Sequence, residues 1–178
     1  YEVQSIPQHP DIPGLFLLTA PICESAAQLD PDALHRFFSR MRQSFDYCLI
    51  DAPAGIGAGF DLAISDADQV LVIAGSDPAS LRDASSVAMR LQQRTHGSAK
   101  LIVNRVVAKL FGKMGTTVDQ IMDQTGLPLL GLVPEDPNVL LAAAASTPLI
   151  LFTGKKSALA CLYIARRLRG LSVPLRKW

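Results

Sequence analysis

Phe45-Asp46-Tyr47-Cys48-Leu49-Ile50-Asp51-Ala52-Pro53-Ala54-Gly55 is the stretch on which the reading of this chain turns. A short apolar run ends in an aspartate, and a proline and a glycine follow at once. In a parallel α/β sheet such a run is a buried strand whose last residue emerges at the carboxyl edge, where ligands bind in open α/β folds. An aspartate held there can take a Mg²⁺ ion through water. Gly55 would let a backbone N–H come close to a phosphate. A plainer alternative stands beside this one: Asp51 ends a strand and caps the next turn.

Strand and helix signals alternate on either side. Gly14–Thr19 reads as a short strand. Asp30 is a good N-cap with Pro31 at the first helical position. Leu34, Phe37, Phe38 and Met41 then recur at helical spacing, which predicts an amphipathic helix to about Gln43. After Tyr47–Asp51, a short helix is expected around Gly59–Ser65 and a strand over Gln69–Ala74. Asp77-Pro78 opens a helix to about Thr95. Lys100–Asn104 reads as a strand, Thr116–Thr125 as a helix closed by Gly126, and Leu129–Val133 as a strand. Helices follow over Pro137–Ala145 and Ser157–Arg169, the last stopped by Gly170. Strands spaced by helices of this length mean βαβ units in a doubly wound, mostly parallel sheet. The 178 residues favour one domain, spanning 1–178.

Composition agrees with that class and excludes others. Hydrophobic residues make up 49% of the chain, which suits a sheet covered on both faces. The formal net charge of +1 calls for neither nucleic acid nor an acidic partner. No apolar run reaches the roughly 20 residues of a membrane-spanning helix. Cys23, Cys48 and Cys161 are far apart and odd in number, so neither a zinc site nor a disulfide framework is expected, and free thiols fit a reducing cytoplasm. His9, His35 and His96 lack the paired spacing of a metal site. The chain starts at Tyr1, as a piece of a longer one would.

Several segments, in order, carry a resemblance. Asp51-Ala52-Pro53-Ala54-Gly55 is similar to the Asp-x-Pro-x-Gly switch II segment of the MinD/ParA family of septum-placement and partition ATPases. Ser80-Leu81-Arg82-Asp83 resembles the family's Ser-x-Arg-Asp turn, and Val103-Asn104-Arg105 its adenine-side Asn-Arg. Gly131-Leu132-Val133-Pro134-Glu135-Asp136 resembles its Gly-x-x-Pro-Glu-Asp, and Ala165-Arg166-Arg167-Leu168 its final helix. The likeness matches roughly the C-terminal two-thirds of such a protein. It implies a P-loop NTPase-like (Rossmann-like) fold lacking its first strand and its Walker A phosphate loop.

The resemblance also implies a function and a site. The intact protein would be an ATP-driven dimer switch, a homodimer that places the division septum with regulators like MinC and MinE. It would be cytoplasmic and at most peripheral at the inner face of the cell membrane. ATP or ADP with Mg²⁺ would be its ligands. Asp51 would hold Mg²⁺ through water, and Pro53 and Gly55 would belong to the segment that senses the γ-phosphate. Asn104, Arg105 and Pro134–Asp136 would line adenine. Without a phosphate loop, the chain alone is not expected to hydrolyse ATP at a useful rate.

Each of these residues has a second reading. Asn104 offers a donor and an acceptor side by side, which matches the N6 and N7 edge of adenine; it could equally turn a loop. Pro134 and Asp136 could wall the same base or start the helix after Pro137. Asp77 falls where the family carries a glutamate at its dimer face, one methylene longer; an N-cap is the other reading. Ser80 and Asp83 lie where the family meets its activator, and both also suit a first helical turn.

Two glycine-lysine stretches are not phosphate loops. Gly154-Lys155-Lys156-Ser157 has Leu149 and Lys156 where glycine and Ser/Thr are needed, and Gly112-Lys113-Met114-Gly115-Thr116 lacks the glycine spacing. Gly55-Ile56-Gly57-Ala58-Gly59 hints at a dinucleotide fingerprint, but Phe60 replaces the third glycine. Two alternatives remain at this point: a non-catalytic, partner-binding family member, and a Rossmann oxidoreductase. After Gly170, Arg176, Lys177 and Trp178 could touch a lipid surface; a frayed basic terminus is the plainer reading.

Overall fold

A computed structural model describes residues 5–19, 30–53, 55–93, 98–107 and 117–175. The chain divides into two compact units, Tyr1–Ala67 and Asp68–Trp178.

In the first unit, α1 (Pro31–Ser44) starts as expected. The Asp30 carboxylate accepts the Asp32 N–H at 3.0 Å, with Pro31 in the first turn. Met41 is its buried residue, flanked by half-buried Leu34, Phe37 and Phe38 on the same stripe. The second helix, α2 (Ala58–Ser65), buries Phe60 and Ile64. His35 Nδ1 lies 2.5 Å from Asp66 Oδ1, and Arg42 donates to the Asp66 carbonyl, so α1 is pinned to the end of α2.

Two expected strands of this unit differ. Gly14–Thr19 forms no strand; Gln8 and Phe16 make an isolated antiparallel bridge, flanked by His9 N–H to Leu15 O at 2.7 Å and Leu17 N–H to Pro7 O at 3.1 Å. Tyr47–Asp51 was expected to be a buried strand and is neither: the residues are exposed, Leu49 at 87%, and form no ladder. The reason is physical. A strand exists through the hydrogen bonds it shares with a neighbour, and none of the described residues pairs with this run.

The second unit holds a parallel sheet of three strands in the order β1-β2-β3. They are β1 (Gln69–Ala74), β2 (Ser98–Val106) and β3 (Leu129–Pro134). Parallel neighbours need crossovers, supplied by α3 (Pro78–Gln92) and α4 (Val118–Thr125). Side chains alternate across a strand, and the core divides accordingly. Val72, Ala74, Leu101 and Val103 pack with Leu81, Ala84 and Ala88 of α3 and Ile121 of α4. Ile102 and Leu130, on the other face, pack against Ile164 of α7 (Lys156–Leu168). Helices on both faces of a parallel sheet are the expected architecture.

Local chemistry explains the ends. Thr117 and Gln120 form a reciprocal capping box at α4, with bonds of 3.2 and 2.8 Å, and Gly126 closes it at φ +67°, a conformation costly for other residues. Between β3 and α7 lie α5 (Asn138–Ala144) and α6 (Leu149–Phe152), the latter not foreseen. Gly131 sits beneath α7: a Cβ there would lie 2.5 Å from Ile164 Cγ1, so glycine permits the close approach of helix and strand.

Candidate functional site

The carboxyl ends of β2 and β3 bring four of the named residues together. β2 departs from regular pairing between Val103 and Val106, and Arg105 adopts φ +56°, the left-handed region. This conformation is uncommon for a residue with a Cβ, and such outliers gather at functional positions. It is supported from both sides. The Arg105 N–H donates to Asn104 Oδ1 at 2.9 Å, and Arg105 Nε donates to Glu135 Oε2 at 2.9 Å. The Glu135 charge raises the Arg105 pKa through that hydrogen bond and through attraction. Val106 then pairs with Pro134 and accepts the Glu135 N–H at 2.9 Å. Asn104, Arg105, Pro134 and Glu135 thus form one hydrogen-bonded corner.

The Asn104 side chain is half-buried, and one Oδ1 lone pair is engaged by the Arg105 N–H. An amide oxygen has two lone pairs and its nitrogen two protons. Enough capacity remains for a donor-acceptor pair facing a base edge, so the residue fits adenine chemically.

Asp136 is 4% exposed, and its carboxylate is an internal fastener. Oδ1 accepts Asn138 N–H at 3.1 Å and Asn138 Nδ2 at 2.8 Å; Oδ2 accepts Ser157 N–H at 3.3 Å. Burial by itself would push its pKa up. The hydrogen bonds from Asn138 and Ser157, with the Lys156 charge, outweigh it and hold the carboxyl below its ordinary value. Ser157, fully buried, donates from Oγ to the Pro134 carbonyl at 2.8 Å. The end of β3, the start of α5 and the start of α7 are therefore joined at one point.

Sequence reading missed this fastening role of Ser157. The residue follows Gly154-Lys155-Lys156, the stretch rejected as a phosphate loop, which here is the entry to α7 with Lys156 at φ +46°. Arg167 lies in the segment likened above to the family's final helix. Its guanidinium in fact donates to Leu130 O, Val173 O and Pro174 O at 2.9, 3.0 and 2.7 Å. Gly112–Thr116 lies outside the described residues.

Asp77 is an N-cap: its carboxylate accepts Ser80 N–H at 3.0 Å and Ser80 Oγ at 2.7 Å. Those bonds, the Ser80 backbone first, lower its pKa. In the first unit Asp51 and Pro53 are exposed on the run before α2, and Gly55 turns the chain at φ +88°. Among the described residues no cluster of three or more His, Cys, Asp or Glu could hold a metal. A single exposed carboxylate still fits a water-mediated Mg²⁺, which keeps most of its waters and takes phosphate oxygens from a ligand. No described helix is long and apolar enough to cross a membrane.

No family model matches the chain. Individual proteins do. Septum site-determining protein MinD of Bacillus subtilis (strain 168) is 32% identical over 91% of this chain and 61% of its own length. The solved MinD cell division protein of Aquifex aeolicus is 32% identical and superposes with a TM-score of 0.77, over 83% of this chain and 64% of that one. The MinC:MinD cell division protein complex of Aquifex aeolicus aligns at 30% identity with a TM-score of 0.79, over 84% and 63%. The chain thus spans 61–64% of the length of these relatives. In sequence and in fold together, the chain is similar to MinD proteins along most of its length.

Proposed function

We propose that this chain is the adenine-holding and switch-bearing portion of a MinD-like, ATP-driven dimer switch that places the division septum from the cytoplasmic side of the membrane. The observation that carries the reading is the corner at the carboxyl edge of a parallel sheet where Asn104 accepts the Arg105 N–H just before Val106 pairs with Pro134. Asn104 reads the adenine edge, and Pro134 walls the base. Asp136 acts through the backbone that it fixes. By resemblance, Asp51 in the first unit takes Mg²⁺ through water, and Gly55 senses a γ-phosphate. A MinC-like regulator is the partner class, as the Aquifex complex suggests.

Calorimetric titration of the purified chain with ATP and ADP, with and without Mg²⁺, tests this. Asn104→Ala should weaken binding roughly tenfold, the worth of a paired hydrogen bond. Asp51→Ala should remove the Mg²⁺ dependence alone. Affinity for either nucleotide unchanged by Asn104→Ala, or binding of NAD in place of ATP, would refute the assignment.

A further inference from the structure

At its carboxyl end β2 carries one residue more than its partner needs. It runs from Val103 to Val106 while β3 runs only from Leu132 to Pro134. This is a β-bulge, and the extra residue is taken up at Arg105, with φ +56°. Glycine adopts that conformation freely; a residue with a Cβ adopts it at a cost. Two contacts hold it. Arg105 Nε donates to Glu135 Oε2 at 2.9 Å, and the Glu135 N–H reaches the Val106 carbonyl at the same distance. The Glu135 residue therefore grips both the arginine side chain and the backbone that follows it.

Within the bulge the Arg105 N–H donates to Asn104 Oδ1 at 2.9 Å. A backbone N–H only donates, so the amide must meet it with its oxygen and not with its nitrogen. Nδ2 is then the other arm, and the Asn104 amide has one orientation instead of two. Its second Oδ1 lone pair and its Nδ2 protons stand in a fixed order. That order matches a 6-amino purine, whose amine donates and whose ring nitrogens accept. A 6-oxo purine has an acceptor where the amine stood, and its N1 carries a proton. It would need the amide reversed. Reversal would set Nδ2 against the Arg105 N–H, donor against donor.

We propose that Arg105 and Glu135 are positioning residues for the choice of base. Their ion pair keeps the bulge left-handed, the bulge keeps the Asn104 amide in one orientation, and the amide admits adenine over a 6-oxo purine. This role rests on the adenine reading of the corner. Neither charged side chain has to touch the base. Both are open to solvent, Arg105 at 78% and Glu135 at 45%, so replacing them leaves the core intact. The bond from the Glu135 N–H to Val106 survives any change of the Glu135 side chain. What a replacement alters is the brace.

Calorimetric titration of the 178-residue chain with Mg²⁺ and either ATP or inosine triphosphate tests this. The unaltered chain should prefer ATP roughly tenfold or more, the worth of a correctly ordered pair of hydrogen bonds. Glu135→Ala should lower that preference about threefold, the scale of an exposed ion pair. Arg105→Gly should keep it within about twofold, since glycine holds a positive φ without a brace. Adding Glu135→Ala to Arg105→Gly should change nothing more. A second measurement needs no ligand. A positive φ brings the amide and Hα protons of a residue close, so their nuclear Overhauser contact at residue 105 should be strong and should weaken in Glu135→Ala. The brace is refuted by an ATP preference that Glu135→Ala leaves intact, or by an unchanged Overhauser contact. Loss of the preference in Arg105→Gly also refutes it, since the guanidinium would then meet the ligand itself. Failure to bind either nucleotide, or equal binding of both by the unaltered chain, refutes the adenine reading instead, and the ligand-free contact then decides the brace by itself.

Discussion

Replacing Gly131 by alanine would test how α7 is seated on the sheet. The new methyl carbon would stand 2.5 Å from Ile164 Cγ1, 3.0 Å from Ile164 Cδ1 and 3.2 Å from Arg167 Nη1. Ile164 is 7% exposed and packed between Ile102 and Leu130, so it has little freedom to swing aside. Arg167 Nη1 is held by the Leu130 carbonyl at 2.9 Å. Overpacking of this kind costs about 1–3 kcal/mol. Alanine regains about 0.4–1 kcal/mol by restricting the unfolded chain. The net loss should be about 1–2 kcal/mol, or roughly 2–8 °C in Tm for a chain this long. Urea unfolding gives the number, with an unchanged slope showing that the native state alone is affected. Ile164→Ala removes both clashing carbons and by itself should cost about 2–5 kcal/mol. In the double variant the clash with Ile164 is gone, so its loss should fall short of the sum of the two single losses by about the overpacking strain. Strict additivity, or a neutral Gly131→Ala, would refute the argument that glycine is there for the close approach.

The corner and the helix caps give further expectations. Because the folded pKa of Asp136 is depressed, its contribution is complete above the unfolded carboxyl value of about 4 and is lost as pH falls through the folded value. Acid unfolding followed by circular dichroism should therefore steepen below about pH 4, and Asp136→Asn should flatten that limb while lowering stability at neutral pH; an unchanged acid limb would contradict it. Thr117→Ala removes the Oγ1 that accepts the Gln120 N–H and leaves the Thr117 N–H to Gln120 Oε1 bond in place; it should cost about 1 kcal/mol in urea unfolding, most of it restored by Thr117→Ser.

Local chemistry made part of this molecule legible in its sequence. Asp30-Pro31, Asp77-Pro78 and Thr125-Gly126 announce helix ends because a cap is made within a few residues of itself. The runs Gln69–Ala74 and Leu129–Pro134 are apolar enough to be recognised as buried strands. The run Tyr47–Asp51 looks much the same, yet has no ladder, because pairing is a property of two segments and only one can be read at a time. The α6 helix is too short to show a period, and Pro148 before it reads as a break. In the candidate site, Asn104, Pro134 and Asp136 were found through motif likeness. That the Asp136 carboxylate reaches Ser157, and that Arg105 turns left-handed against Glu135, depends on contacts 21 and 30 residues apart, which no local pattern encodes.

The strand order carries a consequence for how the second unit comes to be. Each strand lies beside the one that precedes it in the chain, and β1 and β3 meet only through β2. Neither outer strand can join the other until the middle one is in place. The two ring closures span similar stretches, Gln69 to Ser98 and Leu101 to Leu129, and closure entropy rises only slowly with length, so neither has a head start on that account. Synthesis breaks the tie. A chain growing from its amino end exposes β1, α3 and β2 first, a complete βαβ unit with Leu81, Ala84 and Ala88 ready to cover it. The later segment through α7 then adds to a surface already formed, so the sheet can lengthen in the direction in which the chain is made, without any strand having to wait for one not yet translated.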